Sequence, residues 1–108
     1  MVADPSSILE EIEAALRRPP AGGNDAVARI EETLTDGYAR ALQLEGERLR
    51  LERRFGELAR GLKGGDGGKH ADELADLSRR LARAESDLRH LRSRLAELRQ
   101  HAEAVRAA

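Results

Sequence analysis

Cysteine and tryptophan are absent from this chain of 108 residues, and tyrosine, phenylalanine and methionine occur once each. Without thiols there is no disulfide, no thiolate metal ligand and no cysteine nucleophile. Aromatic residues make up 2% of the sequence and charged residues 36%. The large side chains that fill an α/β or β-sandwich interior are therefore nearly missing. No apolar stretch approaches the roughly 20 residues that span a bilayer. Met1-Val2-Ala3-Asp4-Pro5 lacks the basic and apolar parts of a secretion signal. The expectation is a soluble, cytoplasmic protein without membrane association.

A charge excess of either sign is missing too: the net charge is −1, which argues against a polyelectrolyte tail. Lysine occurs only at 63 and 69, so nearly all positive charge is guanidinium. What abounds is Ala, Leu, Arg and Glu, the composition of long solvated helices. Two breaks interrupt them. Pro19-Pro20-Ala21-Gly22-Gly23 removes backbone donors and fixes φ; Gly61-Leu62-Lys63-Gly64-Gly65-Asp66-Gly67-Gly68-Lys69-His70 raises the entropic cost of helix. The expected organisation is an amphipathic arm with its Pro/Gly linker over 1–23 and a helical hairpin over 24–108. Its helices run over about 25–62 and 70–106, and its turn over 63–69.

In the arm, Ser7-Ile8-Leu9-Glu10 fits a capping box, and Ile8, Ile12, Ala15 and Leu16 fall on one face. Asn24 or Asp25 is the expected cap of the second helix. The third helix carries an unbroken heptad, with Leu74, Leu81, Leu88, Leu95 and Ala102 at a and Leu77, Ala84, Leu91, Leu98 and Val105 at d. The second repeats it less purely: a holds Val27, Leu34, Ala41, Arg48, Phe55 and Leu62, and d holds Ile30, Gly37, Leu44, Leu51 and Leu58. Two heptad helices joined by a flexible turn fold back on each other. A turn centred near Asp66 sets every a opposite a d, and large against small: Gly37 meets Leu95, Ala41 meets Leu91, Ile30 meets Ala102 and Arg48 meets Ala84. The fold class expected is all-α, an antiparallel two-helix coiled-coil hairpin with a short N-terminal helix, able to dimerise into a four-helix bundle. Arg48 either enforces this register as a polar core residue or covers Ala84 with its stem while its head reaches Glu45, Glu52 or Glu85; the second reading fits a long side chain better.

Tyr38, Leu42, Gly46 and Leu49, spaced four, four and three residues apart, cluster roughly 120° from this seam. They form the candidate protein interface, covered by the arm, a second copy or another protein. The arm itself either folds back, placing Leu16 near Ile30 and Leu9 near Tyr38, or presents Ile8, Ile12 and Leu16 to a partner's groove.

Catalytic and metal chemistry finds no constellation. His70, His90 and His101 are not in helical i, i+4 pairs, and the glycine-rich tip has neither the preceding strand nor the G-K-[ST] ending of a phosphate loop. No enzyme activity, cofactor, metal or small-molecule substrate is expected. The rival to protein binding is nucleic-acid binding. Arg50, Arg53, Arg79, Arg83 and Arg89 are candidate phosphate contacts in a locally basic middle, though the chain has no aromatic platform for stacking bases. In architecture the hairpin resembles the coiled-coil arms of seryl-tRNA synthetases and of transcript-cleavage factors, and the small secreted W-x-G proteins. The tip has a lone Asp66 instead of an acidic pair, and neither W-x-G nor Y-x-x-x-D/E occurs, so no functional residue carries over.

Overall fold

The computed structural model describes residues 5–19, 23–61 and 67–108 and is all-helical, with no strand among the described residues. Its helices are α1 (Pro5–Arg17), α2 (Asn24–Gly61) and α3 (Gly67–Ala107). The turn residues 62–66 lie outside the described residues.

Helix ends depart from the sequence expectation in three places. Pro5 opens α1, where its fixed φ suits helix and its missing N–H costs nothing; Ser7 is thus inside the first turn and is not the cap. Gly23, with φ +140°, precedes α2, and its carbonyl accepts the Val27 N–H at 3.2 Å. It takes the capping position expected of Asn24 or Asp25, in a left-handed backbone conformation that favours glycine. Asp25 then lies in the first turn of α2, where its negative charge is attracted by the positive end of the helix dipole. At α3 the helix begins at Gly67, earlier than 70, because the glycine penalty is a helix-interior cost and the first turn has few hydrogen bonds to lose. Inside α2, Thr33 and Thr35 donate their hydroxyls to the carbonyls of Arg29 and Glu31 at 3.2 and 2.9 Å.

The chain divides into two compact units. The first contains α1, α2 up to Leu42 and α3 from Arg89; the second contains Gln43–Leu88. In the first unit three helices share one core. Ile8, Ile12 and Ala15 of α1 meet Ile30 and Ala41 of α2 and Leu91, Leu95, Leu98, Ala102 and Val105 of α3, all buried. The five most completely enclosed large side chains, Ile8, Ile12, Leu91, Leu95 and Leu98, belong to it. Each such residue contributes roughly 1.5–3 kcal/mol relative to exposure. Gly37 is buried against Leu95, so close that a Cβ there would overlap the leucine Cδ2.

The second unit has two helices only. Leu44, Leu58, Leu77, Ala84 and Leu88 are buried, whereas the heptad residues Leu51, Phe55, Leu74 and Leu81 are half-buried. A seam between two helices is open to water on both flanks, which explains the incomplete burial. Arg54 reaches Glu73 across the pair at 3.6 Å, and Gly61 lies against the His70 ring.

These contacts separate two glycines. Gly37→Ala gains up to ~1 kcal/mol of helix propensity but overfills a packed seam at a cost of ~1–3 kcal/mol, so no net stabilisation is expected. Gly56→Ala, whose methyl would meet only the Arg60 guanidinium at 3.7 Å, should raise stability by about 1 kcal/mol. Thermal denaturation followed by circular dichroism checks both, and an equal rise in the two variants would contradict the close approach at Gly37.

Candidate interaction surface

Heptad positions explain which side chains remain outside. In α3 the g positions Arg94 and His101 are half-buried, whereas the e positions Arg92, Arg99 and Arg106 are exposed. In α2 the g positions Ala26 and Thr33 are half-buried, whereas Glu31 and Tyr38 at e are exposed. The g flank of the first unit is therefore the one that α1 covers. Ala15, Ala26, Ile30, His101 and Val105 line a single cleft beside it, and Glu11, Ala15, Ile30 and Thr33 line another.

One ion pair marks this docking. The Arg94 Nε–H donates to Glu13 Oε1 at 2.6 Å, and the same guanidinium pairs with Glu97. The hydrogen bond to Glu13, outweighing partial burial, pushes the Arg94 guanidinium above its ordinary value, so it is charged throughout the folded range of pH. On the opposite flank Arg106 pairs with Glu31.

Of the two arrangements expected for the arm, the structure has the packed one: α1 belongs to the first unit, with α2 and α3. Ile8 and Ile12 are 1% and 0% exposed, and Leu16 is half-buried. The expected proximity of Leu9 to Tyr38 does not fit, because Tyr38 is on the e flank and α1 is on the g flank. Sequence periodicity identified the apolar face of α1; the flank it takes follows from small residues, Ala26 and Thr33, at g against Glu31 and Tyr38 at e.

What stays outside is Tyr38 and Leu42 in the first unit, 42% and 74% exposed and one helical turn apart, and Leu49 in the second, 49% exposed. They are the exposed large hydrophobic residues among those described. Gly46, in the second unit, is half-buried, and a Cβ there would meet only the Arg50 guanidinium, at 3.4 Å.

Arg48 sits on the seam of the second unit with its head turned to the e flank. It donates to Glu45 at 3.0 Å and to Glu52 at 2.6 Å. The hydrogen bond to Glu45 and the fields of Glu45, Glu52 and Glu85 raise its pKa against the opposing effect of burial. This is the arrangement in which stem and head divide the work, apolar below and charged above. The candidate phosphate-contacting residues are all exposed. Arg50, Arg53, Arg79 and Arg83 belong to the second unit and Arg89 to the first. Within the second unit, Arg53 and Arg79 occupy f and Arg50 and Arg83 occupy c, and Arg79 lies 3.7 Å from Asp76. No group of three or more His, Asp or Glu among the described residues is placed to hold a metal ion. No helix among them is long and apolar enough to cross a membrane.

Glu13→Gln removes the charge that ties α1 to Arg94. Both partners are partly exposed, so the expected cost is ~1 kcal/mol or less. Hydrogen exchange should quicken at α1 amides and stay unchanged in the second unit; uniform acceleration would contradict a local role. Compared with known proteins, the chain matches no protein-family model, no curated protein and no solved structure.

Proposed function

We propose that this chain is a non-enzymatic interaction module, an antiparallel coiled-coil hairpin of α2 and α3 that binds a second copy of itself or another protein. The observation that carries the reading is Leu42, 74% exposed beside Tyr38, on the flank that α1 leaves bare. An apolar side chain that exposed gains little from burial in the isolated fold, and tyrosine is enriched where proteins bind. Leu49 adds apolar surface on the second unit. Dimerisation into a four-helix bundle fits a pair of helices whose second-unit seam is incompletely covered.

The hairpin is supported by pairings that run in opposite directions along the two helices. In the first unit Glu31 pairs with Arg106 and Gly37 abuts Leu95. In the second, Arg48 feels Glu85, Arg54 meets Glu73 and Gly61 abuts His70. The pairs at e meet e, and Arg54 and Glu73 at g meet g, as an antiparallel register requires.

Two measurements test these statements. Light scattering of the purified chain at micromolar concentration should give twice the monomer mass, and Leu42→Asp should restore the monomer without loss of helix content. A wild-type monomer that also captures no partner from its native cell, or a dimer untouched by Leu42→Asp, refutes this surface. For the hairpin, the Glu31→Cys/Arg106→Cys and Arg54→Cys/Glu73→Cys variants should each form intramolecular links with a short bis-maleimide. The absence of such links, in a chain that has no competing thiol, refutes the register.

A further inference from the structure

The groove that α1 fills in the first unit has the properties of an exchangeable helix-binding site, and we infer that it accepts the α1 helix of a second copy of this chain. The inference stands apart from the Tyr38 and Leu42 surface, which is on the other flank.

Three observations lead there. First, α1 has 13 residues, a length at which an isolated helix is at best marginally stable in water. Its order depends on docking, and an undocked arm is an unstructured segment able to seek another groove. Second, the groove does not need α1 in order to exist. In the second unit α2 and α3 bury Leu44, Leu58, Leu77, Ala84 and Leu88 with no third helix, so the same two helices can remain paired when the arm leaves the first. Third, recognition is specific and self-contained. On the groove side Leu91, Leu95 and Leu98 of α3 are buried in the same unit, and Arg94 is the charged group that pairs with the arm. The arm supplies Ile8 and Ile12, wholly buried, and Glu13, which accepts from Arg94 at 2.6 Å. A ligand for this site is an amphipathic helix with apolar residues at i, i+4 and i+7 and a carboxylate next to the second of them. Every copy of the chain carries one.

Exchange between copies keeps each of these contacts, intermolecular in place of intramolecular. Its equilibrium is set by the protein concentration against the effective concentration of the tethered arm, which is of order millimolar for short connections. Exchange is accordingly a rare event in dilute protein and is best detected by a covalent trap.

The chain has no cysteine, which makes the trap selective. The double variant Glu13→Cys/Arg94→Cys, treated with a short bis-maleimide in dilute solution, provides the standard and should link within one chain. Full-length chains carrying Glu13→Cys alone are then mixed with chains carrying Arg94→Cys alone, and in parallel with chains carrying Arg99→Cys, whose position is exposed on the other flank. Exchange predicts a linked heterodimer with Arg94→Cys in several-fold excess over that with Arg99→Cys, rising with concentration and lost when Ile12→Asp is added to the Glu13→Cys chain. Equal yields at the two positions, beside efficient linking in the double variant, would show that the groove is closed to a second copy. Failure of the double variant to link within one chain would overturn the docking of α1 itself and the inference with it. Neither result depends on light scattering of the Leu42→Asp variant, which tests the other surface.

Discussion

Two helices lying against each other share one seam, and water reaches that seam from both flanks. Everything distinctive in this protein follows from that constraint. In the second unit the seam is all there is, and four of its described apolar heptad residues stay half-buried. In the first unit α1 closes one flank, and five large side chains become almost fully enclosed. Hydrophobic burial scales with area removed from water, so thirteen residues of added helix change the quality of the core more than their number suggests. The flank that α1 leaves open is where Tyr38 and Leu42 stand, and the proposed interaction rests on that vacancy.

Charge plays a directing role over this apolar base. The exposed ion pairs contribute ~0–1 kcal/mol each, too little to hold helices together against the leucine seam. Each ties helices within one unit: Glu31 with Arg106 and Glu13 with Arg94 in the first, Arg54 with Glu73 in the second. Arg48 shows how a charge is accommodated at a seam position. Its stem lies along the apolar layer while Glu45 and Glu52 hold the head at the edge, so the ion avoids the desolvation that a fully buried arginine would suffer.

Much of the core was legible in advance because the heptad is a repeated geometric demand. All ten a and d positions of α3 were assigned by periodicity, and eight are buried, the exceptions being Leu74 and Leu81 in the two-helix unit. The buried Gly37 against Leu95 follows from the same arithmetic of opposed sizes. The helix ends were less legible. A capping box and an Asn-Asp pair are local signals, yet Pro5 and Gly23 took the positions they indicated, since backbone geometry at a helix start is satisfied by several residue types. For the surface, the exposure of Tyr38, Leu42 and Leu49 was readable from their angle to the seam, whereas the availability of Ile8, Ile12 and Leu16 to a partner was not.

By itself the sequence determined that this chain is helical, where its helices break, and which stripe of each is apolar, because periodicity and backbone chemistry act over neighbouring residues. Only the tertiary structure decided that the arm folds back, and onto the flank lined by Ala26, Thr33, Arg94 and His101 instead of the one lined by Glu31 and Tyr38. The choice rested on the space and charge that two other helices present together, a property that no single segment of sequence contains.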